Sequence, residues 1–206
     1  IEALTVAAGE IAAIVGPADS GRAPLFDLLI GRSRPTVGTV RVSGLDPFAE
    51  RGGFSRQVGG LFAEDAIYSR QTVRQNLSFR AQLYGLPVTR VGEVLAEVGL
   101  ADCAETPAEK LPSGLARRLA FGCATLHRPR TLLAVEPFAR CDEASITLLS
   151  GLMGDLAERD GVVLILAGQG LSGGTFTIGD LSLFIYLLSS MGDLTTMGGH
   201  LFARYK

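Results

Sequence analysis

The sequence is poor in the residues that most often hold metals or act as nucleophiles. It has two histidines, His127 and His200, too far apart to suggest a zinc site or a Cys–His nucleophile. Its three cysteines, Cys103, Cys123 and Cys141, form no C-x-x-C pair, and an odd number suits a reducing cytoplasm better than a disulfide framework. There is no basic tract and the net charge is -2, so no nucleic-acid footprint is visible. Internal repeats and low-complexity segments are absent. The chain opens on Ile1 rather than Met, with no charged start before an apolar segment; this predicts no signal peptide and an N-terminally incomplete piece. Residues 161–179 are uncharged for long enough to suggest a membrane span, but their glycines and strand-like first half argue against one. The apolar run 181–192, between Asp180 and Asp193, is too short for a span and reads as an amphipathic or core helix.

What is present is a core. With 206 residues, 47% of them hydrophobic and 19% charged, the chain is globular, one large domain or a domain with an appendage. That balance is apolar enough to suggest a membrane or subunit contact. Residues 11–15 form a short apolar run ending in a glycine loop, which predicts a buried strand. A helix is expected over 22–30, with Pro24 tolerated in its first turn. Residues 37–42 alternate as an edge or hairpin strand before the turn Ser43-Gly44. Helical stripes follow at Val73, Leu77, Ala81 and Tyr84, and at Val91, Val94, Leu95 and Val98. A third runs through Leu115, Leu119, Gly122, Cys123 and Leu126, and a fourth through Ile146, Leu149, Met153 and Leu156. Residues 131–135 and 162–167 read as buried strands. Strands separated by helices predict an α/β core with a mostly parallel sheet, whose binding face lies at the strands' carboxyl ends. Gly16, Glu136 and Gln169 all fall there.

The stretch Gly16-Pro17-Ala18-Asp19-Ser20-Gly21-Arg22-Ala23 has the two glycines of a phosphate-binding loop, G-x-x-x-x-G. Such a loop works because backbone N–H groups at a helix N-terminus converge on an anion. Its lysine adds charge at the terminal phosphates and its Ser/Thr hydroxyl holds Mg²⁺. Here Arg22 replaces the lysine, Ala23 has no oxygen, and Asp19 would repel phosphate or fill the anion hollow itself. Taken alone, the pattern is equally compatible with a chance turn.

The rest of the chain turns that balance. Gly9-Glu10-Ile11 leads into the loop, Pro35-Thr36-Val37-Gly38-Thr39-Val40 has a P-x-x-G-x-V pattern, and Thr72-Val73-Arg74-Gln75-Asn76-Leu77 follows Leu61-Phe62-Ala63-Glu64-Asp65. Leu111-Pro112-Ser113-Gly114 precedes Val135-Glu136-Pro137, Asp142 and Gln169. In this order and spacing, residues 9–169 resemble the nucleotide-binding domain of ATP-binding cassette (ABC) transporters. The resemblance implies a P-loop nucleotide-hydrolase-like α/β fold over residues 1–170. It makes residues 16–23 the cofactor-binding loop for ATP, Ser113 and Gly114 the signature region, and Asp142 the D-loop. Glu136 would be the general base and Gln169 would replace the switch histidine. A membrane domain and a second nucleotide-binding domain are the implied partners, at the cytoplasmic side of the cell membrane, with no nucleic acid.

The departures from that pattern lie where the family's chemistry lies. Ala63 replaces the Q-loop glutamine, Pro112 the signature serine, and Val135 the acidic residue that orients Mg²⁺ through water. Phosphoryl transfer depends mostly on electrostatic stabilisation, which a base without metal ligands does not supply. The resemblance therefore implies weak or no ATP binding, no metal site and no efficient hydrolysis: the non-catalytic half of a cassette pair. An interaction or regulatory module that keeps the fold and binds no nucleotide, and a truncated product without independent function, are the competing readings. An unrelated P-loop kinase is a poorer one, because it leaves the Leu111–Asp142 spacing unexplained.

Leu171-Ser172-Gly173-Gly174 spells the family signature but follows the acidic position, so by order it is not this domain's signature. Residues 174–199 instead resemble the entry and last helix of an ABC exporter membrane domain. This implies a membrane-domain-like helical tail over 171–206 and a cassette that lacks its C-terminal part. Several residues are read as structural. Arg117, Arg118, Arg128 and Arg130 are expected to be solvated charges, and His127 a surface residue before a turn. Cys123 and Cys141 are expected as packing residues, with Glu136 as an alternative strand-end cap.

Overall fold

The computed structural model describes residues 4–16 and 19–168. Pro17, Ala18, Gln169 and the expected tail over 171–206 lie outside the described residues. The elements run β1 (Ile11–Gly16), α1 (Arg22–Leu29), α2 (Arg51–Gln57), β2 (Val58–Leu61), α3 (Val73–Leu83), α4 (Val88–Glu97), α5 (Ser113–Thr125), β3 (Thr131–Val135), α6 (Glu143–Glu158) and β4 (Val162–Gly168). Two short 3₁₀ turns, Ala101–Cys103 and Ala108–Lys110, join α4 to α5. The expected α/β fold with a parallel sheet is what the chain adopts. The strand order is β1-β4-β3-β2, and every neighbouring pair is parallel.

Parallel strands need crossovers, so both faces of the sheet are covered and the central strands are apolar throughout. On one face Leu164 and Leu166 of β4, Leu133 of β3 and Val58 of β2 pack with Phe26 and Leu29 of α1. Alternation along the strands turns Leu132, Ala134, Val163 and Ile165 to the other face, where they are also buried. There α5 lies on β2 and α6 on β4, and α3 and α4 pack onto α5. The predicted stripes are the buried ones: Val73, Leu77 and Ala81 on α3, Val91, Val94 and Leu95 on α4, Leu119 and Cys123 on α5, Leu149 and Met153 on α6.

Helix starts follow their local chemistry. Thr72 caps α3 in a reciprocal box: the Gln75 amide donates to Thr72 Oγ1 at 3.2 Å and the Thr72 amide to Gln75 Oε1 at 2.9 Å. Asn76, buried on α3, donates to the carbonyls of Tyr68, Gln71 and Thr72 and accepts the Tyr68 amide, which fixes the segment before the helix. One expected strand is absent. Residues 37–42 contribute an isolated antiparallel bridge, Val42 to Leu45, and Val37 is exposed. Alternation without a neighbouring strand to pair with does not make a strand.

Candidate functional site

The carboxyl ends of the strands bring Gly16 and Val135, with Glu136 after it, to one edge of the sheet. Gly16 ends β1 in register with Gly168 of β4, and Val135 ends β3 opposite Leu166. From Gly16 the chain loops through the exposed Asp19 and Ser20 to Gly21, whose φ of 85° is left-handed and suits glycine. Gly21 precedes α1 and brings no side-chain cap, and the first turn of α1 carries no acidic residue. The positive end of the helix dipole lies at the backbone of Arg22 and Ala23, where it favours negative charge. Pro24, next in the same turn, has no N–H to add.

Arg22 and Glu136, one at the start of α1 and the other just past β3, form an ion pair at 3.2 Å. Their side chains are 15% and 34% exposed, so the pair is shielded from solvent on the Arg22 side more than on the Glu136 side. The residues expected to bind phosphate and to act as base are thus held to each other. Glu136 has φ 47°, a left-handed conformation that costs a non-glycine residue about 1–2 kcal/mol. Its amide donates to the Leu166 carbonyl at 2.9 Å, and its own carbonyl accepts from the Ala139 amide at 3.0 Å.

That strained turn rests on Arg117, a buried residue of α5 that is 1% exposed. Its Nε donates to the Pro137 carbonyl at 2.9 Å, and its Nη2 to the carbonyls of Val135 and Glu136, each at 2.7 Å. Its Nη1 donates to the Phe62 carbonyl and to Asp65 Oδ1, the latter at 3.0 Å. Asp65 also meets Arg140 at 3.3 Å. The expectation that Arg117 is a solvated charge is therefore corrected, because it is the most heavily bonded side chain around β3. Arg118 is part-buried and donates to Ser145 Oγ at 2.7 Å, whereas Arg128 and Arg130 are exposed as expected. The missed signal was positional: residues 114, 117, 121 and 124 share one face of α5, and all are buried.

Ser113, Gly114 and Asp142 lie together. Ser113 Oγ donates to the Arg140 carbonyl at 2.7 Å. A Cβ on Gly114 would lie 2.7 Å from Asp142 Oδ1 and 2.8 Å from Ser145 Oγ, so this position has no room for a side chain. Asp142 caps α6 by accepting the Ser145 amide at 3.1 Å, and the Ser145 hydrogen bonds hold its carboxyl below the usual carboxylate range. Ala63 is exposed after β2 and makes no polar contribution.

Among the described residues two of the positions expected to support Mg²⁺ offer it no donor. Ala23 and Val135 have no side-chain oxygen, and the carboxylate of Glu136, next to Val135 in sequence, is paired with Arg22. Among the described residues no group of three or more His, Cys, Asp or Glu side chains comes together. Nor is any helix among them long and apolar enough to cross a membrane. His127, expected at the surface, is instead half-buried and stacked on Tyr84, with ring centroids 4.2 Å apart and planes 3° from parallel. Cys123 is buried, its thiol pushed up to about 12 by that burial, which suits a packing role.

Comparison with known proteins places this geometry. The family described as "ABC transporter" matches residues 3–139. The chain is 32% identical, over 79% of its length and 74% of the other's, to the lipoprotein-releasing system ATP-binding protein LolD 1 of Caulobacter vibrioides. It is 30% identical to the methionine import ATP-binding protein MetN 2 of Burkholderia mallei, covering 79% of this chain and 43% of that one. Among solved structures, the ATP-binding subunit of an ABC transporter superposes with a TM-score of 0.73 at 18% identity, over 90% of each chain. The CbiO1 protein of Clostridium perfringens gives 0.69 at 24% identity, over 80% of this chain and 69% of that one. At those identities the two structures speak for the fold.

Proposed function

The chain belongs to the ABC transporter family as an ATP-binding subunit, and from that premise we propose that it is the non-catalytic half of a cassette pair, binding ATP weakly and without Mg²⁺. The observation that carries this reading is the Arg22–Glu136 ion pair at 3.2 Å. An arriving phosphate must compete with the Glu136 carboxylate for the Arg22 guanidinium at the head of α1. What it gains besides are the amides of Arg22 and Ala23 and the helix dipole, a contribution of about 0.3–1 kcal/mol for an exposed terminus. Hydrolysis needs charge stabilisation beyond this, and neither Ala23 nor Val135 can help hold the ion that would supply it.

The partners are proposed by the same membership: a membrane component of the transporter and a second cassette, on the cytoplasmic side of the membrane. Exposed apolar side chains support a protein contact. Tyr68 follows β2, Leu83 ends α3 and Val88 begins α4, and all are well exposed. In the pair, this chain would lend Ser113, Gly114 and Asp142 to its partner's site. Calorimetric titration with ATP tests the reading. The expected result is weak binding that changes less than about twofold between EDTA and millimolar Mg²⁺, with no turnover. Mg²⁺-dependent turnover that disappears in Glu136→Gln would overturn it. No binding in either buffer would instead favour an interaction module that keeps the cassette fold and takes no nucleotide.

A further inference from the structure

Arg117 is bound through all of its N–H groups: one on Nε, two on Nη1 and two on Nη2, each with its own acceptor. Three of those acceptors are the consecutive carbonyls of Val135, Glu136 and Pro137. The others, the Phe62 carbonyl and Asp65, come from the segment after β2. A guanidinium is the one side chain with enough donors, fixed in a plane, to hold such a set at once. We propose that Arg117 is a positioning residue that holds the Glu136 carboxylate against Arg22, and so keeps the phosphate loop partly neutralised. This rests on reading residues 16–23 as an ATP-binding loop.

Glu136 is fixed at both ends of its peptide unit, its amide on the Leu166 carbonyl and its carbonyl on Arg117. Its φ of 47° is a conformation that a free chain avoids, and the row of carbonyls turned toward Arg117 keeps it in place. With the backbone so fixed, the side chain leaves the turn on the side of α1, where it meets Arg22. The five hydrogen bonds of Arg117 go to Phe62, Asp65, Val135, Glu136 and Pro137, so it acts through Glu136. Because α5 begins at Ser113 and Gly114, the same side chain ties the head of that helix to the charge state of the loop.

A purely structural arginine and a positioning arginine predict opposite signs. If Arg117 only supports the fold, weakening it loosens the loop and ATP binds less well. If it holds Glu136 onto Arg22, weakening it releases the competitor and ATP binds better. The test is ATP affinity by calorimetry in EDTA, on the full chain, for wild type, Arg117→Lys, Arg117→Met, Glu136→Gln and the Arg117→Lys/Glu136→Gln double variant. Thermal unfolding checks that each is folded. Glu136→Gln is expected to tighten ATP by about three- to ten-fold and Arg117→Lys by about two- to five-fold, the range of a partly exposed ion pair. In the Glu136→Gln background, Arg117→Lys should change affinity by less than about twofold, since its target is gone. Should Arg117→Met fail to fold, Arg117→Lys decides the matter alone. Unchanged or weaker binding in Arg117→Lys, or a gain that persists without the Glu136 carboxylate, overturns the proposal. Absence of ATP binding in every variant removes the ATP-site reading, and this inference with it. Binding with the wrong sign removes this inference alone.

Discussion

A single ring nitrogen makes the stability of the protein depend on pH. His127 stacks flat on Tyr84, and its Nε2 lies 3.3 Å from the Val58 carbonyl, so Nε2 carries the proton and Nδ1 is the acceptor. Nδ1 is buried and has no hydrogen-bond partner among the described residues. Protonating it would create a buried donor with nothing to accept it. Accordingly burial, the largest influence, holds the ring below its ordinary 6.5, against the opposing pull of the Val58 carbonyl. The unfolded chain therefore binds the proton at a higher pH than the folded one. Stability from the neutral ring is complete above about 6.5 and is lost as pH falls from there toward the lowered folded value. Urea midpoints at pH 7.5 and 5.5 should fall for wild type and fall less for His127→Gln; an equal fall in both would exclude the ring as the cause. His127 and Arg117 were not legible in the sequence for one shared reason. Both are polar side chains whose partners lie far along the chain, at Tyr84 and Val58, and at Phe62, Asp65 and Val135–Pro137. Local pattern favours the surface for such residues, and only the folded sheet brings the partners together. The places of Gly16, Gly21 and Glu136 at the ends of β1, α1 and β3 were legible because strand ends and glycine spacing are local signals, but the Arg22–Glu136 ion pair was not.

Helix ends meeting helix ends decide how α5 and α6 are placed. Gly114, in the first turn of α5, faces Asp142, the residue that caps α6. Ser145 in the first turn of α6 accepts from Arg118 of α5 while its amide donates to Asp142. A methyl group at position 114 would sit 2.7 Å from Asp142 Oδ1, well inside contact distance, so the capping carboxylate must move. Gly114→Ala should cost about 1–3 kcal/mol in urea unfolding, the usual range for overpacking. In an Asp142→Ala background the cost should be smaller, because Asp142 Oδ1 is gone and Ser145 Oγ is the one obstructing oxygen left of the two; equal costs in both backgrounds would show that the Asp142 contact is not the cause. At this scale the sequence was a good guide wherever burial repeats with the helical or strand period. β3 matched its expected residues 131–135, and the stripes on α3 to α6 became the buried faces. It misled at residues 37–42, where alternation alone suggested a strand. Pairing is a property of two segments, and among the described residues this stretch makes only the isolated Val42–Leu45 bridge.

The parallel sheet serves two cores at once, and this sets how the described residues unfold together. Leu164 of β4 lies with Phe26 and Leu29 on the α1 face, while Leu119 of α5 is fully buried in the helical layer on the other face. Among the described residues the layers meet across the shared strands, β1 included, and Arg117 adds a polar link whose donors reach from α5 to the ends of two strands. Separate folding of the helical layer would expose the inner faces of Leu132, Ala134, Val163 and Ile165, all buried here, at roughly 1.5–3 kcal/mol for each large apolar side chain. Partial unfolding is therefore costly, and one transition is expected. Leu164→Ala and Leu119→Ala should each lower stability by about 2–5 kcal/mol, the range for truncating a buried leucine. Both should shift the urea midpoint without changing the slope, and the double variant should equal the sum within about 0.5 kcal/mol, since the two sites share no partner. Far-UV circular dichroism and the summed fluorescence of the four tyrosines, Tyr84 at the end of α3 among them, should report the same midpoint in every variant. A biphasic curve confined to Leu119→Ala would mean that the helical layer opens by itself. The Arg117 contacts would then be the weak joint between layers, and Arg117→Lys should lower the first phase and leave the second in place.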